Sequence, residues 1–85
     1  MGRASRHTPV HLGCKLAQVR KFLGIERFSE MVERLNVKEV NLYRSTICEY
    51  ETGKREPPLI VLLRYSQLAG VSINDLVDDN VTLDL

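Results

Sequence analysis

Eighty-five residues, 44% hydrophobic and 27% charged, make one small folded domain and exclude the large catalytic architectures, because domains typically hold about 100 to 150 residues. A core is possible but modest: a domain of this size buries only about 60% of the surface its unfolded chain exposes, so partners can contribute to its stability. The net charge of +1 excludes a uniformly basic nucleic-acid binder, yet it averages +5 over residues 1–25, −1 over 26–56 and −3 over 57–85.

Residues 1–8 hold Arg3 and Arg6 and read either as a basic arm that reaches phosphate or a minor groove or as a solvated tail. The domain proper is placed at 9–77, and every segment of it reads as helix. Leu12, Leu16, Val19 and Leu23 recur at spacings of four, three and four and share one face, with Phe22 beside them. Thr8 and Pro9 suit the start of this first helix, and Gly24 suits its end. Met31, Val32 and Leu35 form the stripe of a short second helix whose start is undefined, and Asn36 to Leu42 read as a turn. A third helix is expected from about Arg44 to Thr52, stopped by Gly53. Pro57 and Pro58 open a fourth, with Leu59, Leu62, Leu63 and Ala69 facing inward, Leu68 at the edge and Gly70 as terminator. Ser72 and Asp75 have the spacing of a capping box for a last short helix that buries Ile73, Leu76 and Val77. The acidic and apolar tail, 78–85, can extend as a strand, pack along the domain or fray, with fraying the default at a terminus.

No run approaches the roughly 20 apolar residues of a membrane span, and the N-terminus lacks an apolar signal segment, so a cytoplasmic protein without membrane partners is expected. Cys14 and Cys48 have neither zinc-site nor disulfide-scaffold spacing and are expected as buried or half-buried free thiols. His7, His11 and Cys14 are the nearest approach to a metal set; with Pro9 between the histidines and no fourth ligand, neither metal nor cofactor is expected. No nucleophile triad, paired-carboxylate, phosphate-loop or zinc-protease motif occurs, so the chain does not read as an enzyme.

Two short helices joined by a turn, after a basic helix and before a fourth, are the parts of a helix-turn-helix unit. In the third helix Ile47 and Tyr50 anchor one face while Ser45, Glu49 and Thr52 point away, a face able to enter a major groove. Tyr50 and Tyr65 are expected in the core with their hydroxyls at the surface.

Over residues 11–77 the chain resembles the lambda-repressor-like, or XRE, helix-turn-helix transcriptional regulators. The resemblance is carried by Leu12-Gly13, Leu16 and Val19-Arg20, and by Met31-Val32-Glu33-Arg34-Leu35 in place of the family's Leu-Ala-x-x-Leu. It continues through Ser45-Thr46-Ile47, Tyr50-Glu51-Thr52-Gly53-Lys54-Arg55-Glu56-Pro57, Leu62-Leu63, Tyr65, Leu68-Ala69 and Val71-Ser72. It implies an all-α, five-helix domain with a central helix-turn-helix whose third helix reads bases while the loop after it touches phosphate. Position by position, it places Arg44, Ser45, Cys48 and Glu49 at DNA contacts and Thr52, Lys54 and Arg55 at or near the backbone. It also implies that Arg20 and Glu51 pair to lock helix 1 to helix 3. The chain departs from the pattern in three places. The turn before Ser45 is about five residues longer than usual. Arg27 and Phe28 stand where the family has Ser-Gln, and there Arg27 can take over a phosphate contact whereas Phe28 cannot. Glu49 is acidic on the outer face and repels phosphate unless it accepts from a cytosine amino group.

The expected function is a sequence-specific DNA-binding transcriptional regulator, a repressor by occlusion, bound as a homodimer to double-stranded DNA at half-sites about 10–10.5 bp apart or a multiple of that. Its positive surface would combine the arm, helix 1, Arg44, Lys54 and Arg55. The alternative is a protein-interaction module with a protein partner, such as an antitoxin or adaptor, on the same fold.

Overall fold

The computed structural model describes residues 9–85, so Arg3, Arg6, His7 and Thr8, with the arm assigned to 1–8, lie outside the described residues. Five helices follow one another: α1 (Leu12–Phe22), α2 (Phe28–Leu35), α3 (Arg44–Thr52), α4 (Leu59–Ala69) and α5 (Ile73–Val77). Among the described residues there is no strand, and no helix is long and apolar enough to cross a membrane. α1 packs on α3, α4 and α5, while α2 packs on α3 and α4, so α1 and α4 form the middle of the molecule. Leu12, Leu16 and Val19 of α1 meet Met31 and Leu35 of α2, Ile47 and Tyr50 of α3, and Val61 and Tyr65 of α4 in a single core.

α1 begins later than Thr8 and Pro9 suggest. His11 stands at its N-cap without a side-chain cap, and the preceding backbone is held from far along the chain. The Asp79 carboxylate accepts hydrogen bonds from the N–H groups of Val10 and His11, each at 3.1 Å. Those two amides face the tail instead of opening the helix, and the carboxylate sits where the positive end of the α1 dipole favours an anion. The tail is therefore packed rather than frayed, and Leu83 is buried. Lys15 completes this joint. It is buried, and its Nζ donates at 2.7 Å to both Asp75 O and Asp78 O, carbonyls in the last turn of α5 and at its C-cap, where a cation meets the negative helix end.

α1 crosses α3 at Gly13. A Cβ there would lie 2.6 Å from Glu51 O and 3.0 Å from Tyr50 O, inside van der Waals contact, so only glycine permits this approach. At the far end of α3, Gly53 takes φ 80°, a left-handed stop that side chains resist. α2 ends instead on Asn36 at φ 51°, a residue that tolerates that region. Arg64 reaches back from α4 to donate to Leu35 O at 2.7 Å, closing the same helix end.

Four expectations are corrected. α4 buries Val61, Leu62, Tyr65 and Ser66, while Leu59 is 70% and Leu63 37% exposed. Packing against α1, α2 and α5 at once requires a face turned towards Val61 and Tyr65, and Ser66 tolerates burial because its hydroxyl donates to Leu63 O at 2.7 Å. The Tyr65 hydroxyl is buried without a hydrogen-bond partner, not placed at the surface. Cys14 is exposed, because at 100° per residue it lies across α1 from the Leu12–Leu16–Val19 stripe. Phe22 is 55% exposed at the end of α1, where no neighbouring element covers it. At α5 the Ser72 half of the expected capping box is present, the Asp75 N–H donating to Ser72 Oγ at 3.0 Å, and Leu76 is buried while Ile73 and Val77 are half-buried.

Two stability predictions follow from these contacts. Gly13→Ala should cost about 1–3 kcal/mol in urea denaturation, the usual range for overpacking, since backbone carbonyls must move; an unchanged midpoint would show that α1 and α3 separate freely. Tyr65→Phe should be as stable as the wild type or more so at pH 7, because an unpartnered buried hydroxyl is removed. Burial first, then the nearby Glu51 and Tyr50, pushes the Tyr65 hydroxyl above its ordinary value of 10.0. Its contribution is therefore fully present below about pH 10 and lost as pH rises towards the folded-state value. Denaturation between pH 9 and 11 should show a smaller alkaline loss in Tyr65→Phe than in the wild type.

Candidate nucleic-acid interface

α3 is fixed at its start by Tyr43, the N-cap, in an extended conformation (φ −126°, ψ 165°). Thr46 Oγ1 accepts from the Tyr43 N–H at 3.2 Å, while the Tyr43 carbonyl accepts from the N–H groups of Thr46 and Ile47 at 2.9 and 3.2 Å. Ile47 and Tyr50 bury the inner face. At 100° per residue Arg44, Ser45, Cys48, Glu49 and Thr52 fall within an outward arc of about 140°. Arg44, Ser45 and Thr52 are exposed, and Cys48 and Glu49 are half-buried. Lys54 and Arg55 follow, both exposed, so the structure brings all seven to one helix and the loop leaving it.

Three of these groups already have partners. Glu49 Oε1 accepts from Arg55 Nε at 2.7 Å, with the side chains 39% and 60% exposed. The hydrogen bond to Glu49 also raises the pKa of the Arg55 guanidinium. An exposed pair of this kind is weak because solvent screens it, so phosphate can compete with Glu49 for Arg55. The Thr52 hydroxyl donates to Cys48 O at 2.9 Å, which leaves its oxygen as an acceptor and takes its proton away from any phosphate.

Arg27 is exposed at the N-cap of α2, but a different residue of α2 lies beside Arg44. A depression between the two helices is lined by Ser29, Val32 and Glu33 of α2 with Tyr43, Arg44 and Ser45. Tyr43, 63% exposed, and Ser29 are absent from the site read in the sequence. Tyr43 falls there between the stretch read as a turn and the expected start of the third helix; the available signal is an aromatic residue directly ahead of Arg44 at a helix start.

Lys15 and Arg20 of α1 do not join this face. Lys15 is held by α5, and Arg20 is turned to α3, so two of the three cations of helix 1 are internal and Lys21 stays exposed. Arg20 Nε and Nη2 donate to the two oxygens of Glu51 at 2.7 and 3.1 Å, with side chains only 12% and 9% exposed. Arg20 Nη1 donates to Ile25 O at 3.0 Å, and the guanidinium carbon lies 4.9 Å from the Phe28 ring centroid, within cation–π range. Phe28, unable to make the phosphate contact of a glutamine, is instead the platform beneath Arg20. The Glu51 hydrogen bond raises the Arg20 pKa.

Among the described residues no group of three or more His, Cys, Asp or Glu side chains could hold a metal ion. In comparison with known proteins, no family model matches the chain, and neither a curated protein nor a solved structure does.

Proposed function

We propose that this protein is a transcriptional regulator of the lambda-repressor-like helix-turn-helix type, acting in the cytoplasm as a homodimer that occludes its DNA site. The observation that carries the reading is α3: a short helix anchored by Ile47 and Tyr50, with Arg44, Ser45, Cys48, Glu49 and Thr52 on its outward side and Lys54 and Arg55 just beyond. Arg44 at the helix entry can give a bidentate pair to guanine O6 and N7, worth about 1–3 kcal/mol of discrimination. Lys54 and Arg55 neutralise phosphate, which adds affinity and salt dependence but no base preference. Arg27 supplies a further phosphate contact from the start of α2. Glu49 pairs with Arg55 in the unbound chain and is placed to accept from a cytosine amino group once phosphate takes Arg55.

A second reading, a protein-interaction module such as an antitoxin or adaptor, draws on the internal commitment of Lys15 and Arg20. Their removal from the surface leaves a thinner positive face than the sequence suggests.

Fluorescence anisotropy on duplex pools at two salt concentrations separates the two. Wild-type binding should weaken as salt rises, with a slope set by the number of phosphate contacts. Lys54→Ala should flatten the log–log slope by about one charge, and Arg44→Ala should relax base preference at one position. Absence of binding at low salt would remove the DNA reading in favour of the interaction module.

A further inference from the structure

The depression between α2 and α3 joins two chemistries in one place. Arg44 brings a guanidinium fork, and Tyr43 and Val32 bring apolar surface, with Ser29, Glu33 and Ser45 completing the lining. Tyr43 is the largest exposed aromatic surface near α3, yet its backbone is held by Thr46 Oγ1 and by the first turn of the helix. Its ring is thus presented from a rigid base, which lowers the ordering cost of a contact. Glu33 on the rim disfavours entry of a phosphate. A base edge meets no such penalty.

In the major groove the only apolar group a base offers is the 5-methyl of thymine, while the best partner of an arginine is guanine. We propose that Tyr43 and Val32 form a receptor for a thymine 5-methyl group beside the guanine taken by Arg44, which makes Tyr43 a specificity-determining residue. The inference rests on the DNA-binding reading and adds to it a preference for thymine next to guanine. The expected effect is that of burying one methyl group, about two- to fivefold in affinity per site.

The test starts from the tightest duplex selected out of a randomised pool. Each thymine is replaced in turn by deoxyuridine, which keeps base pairing and removes only the methyl group. Anisotropy with the wild type should show a two- to fivefold loss at a thymine adjoining the guanine whose replacement abolishes the Arg44 effect. Tyr43→Ala should bind the thymine and uracil duplexes equally, at about the affinity of the wild type for uracil, and Tyr43→Phe should keep the difference. Tyr43 is mostly exposed, and circular dichroism checks that the alanine variant is folded. Binding by the wild type with no sensitivity to uracil at that position overturns the inference while leaving the DNA reading intact. So does a uracil effect that persists in Tyr43→Ala, since the methyl group is then read elsewhere. No binding to any duplex at low salt overturns both.

Discussion

The position of α3 depends on the contact between Arg20 and Glu51. The two side chains are nearly withdrawn from solvent and form a forked pair, with Arg20 also closing on Ile25 O and lying over Phe28. One guanidinium therefore joins α1, the loop after it, the start of α2 and the end of α3. A buried pair is weak evidence of net stability, because desolvation offsets much of the attraction, but removing one partner leaves an uncompensated charge and costs about 3–5 kcal/mol. Its main effect here is geometric. It fixes the angle at which α3 leaves the core, and Gly13 fixes the distance, since the α1 backbone meets Glu51 O where a side chain would clash.

The same device recurs at the helix ends. Short helices leave terminal carbonyls without partners, and this chain supplies cations from elsewhere in the sequence: Lys15 to the end of α5, Arg64 to Leu35 at the end of α2. Asp79 does the reverse ahead of α1. Each contact spans 29 or more positions, so each closes a large loop while satisfying a local need. The tail becomes part of the domain in this way. Lys15 and Asp79 both tie α1 to the segment running from α5 into the tail, and Leu83 of that tail is buried in the core.

Local signals in the sequence were enough for the helices. Gly53 marks the end of α3 through its backbone freedom, the Ser72–Asp75 spacing marks the start of α5, and the stripe through Leu12, Leu16 and Val19 marks the buried side of α1. The misreadings of α4 and of the start of α1 share one cause. Whether Leu59 or Tyr65 faces the core depends on where α1, α2 and α5 sit around α4, and the start of α1 depends on Asp79, 68 positions beyond His11. The shared outward side of Arg44, Ser45, Cys48, Glu49 and Thr52 was legible because one helix carries them. The place of Tyr43 was not, because the depression it lines is completed by Ser29 and Val32 from α2.

This distribution of charge bears on how a chain of net charge +1 could hold a polyanion. Counting lysines and arginines overstates the surface, because Lys15, Arg20 and Arg64 serve helix ends and a buried pair. The exposed cations on α3 and the loop after it are Arg44, Lys54 and Arg55, with Arg27 at the start of α2, and Glu49 already offsets one of them. Each phosphate contact releases counterions, and affinity that rests on few contacts is both modest and less steep in salt. For one subunit on DNA, base-edge contacts would then carry a larger share of the binding energy than the backbone does. A second subunit on the same duplex would double the phosphate contacts and raise the effective concentration of the first, without a more basic surface on either.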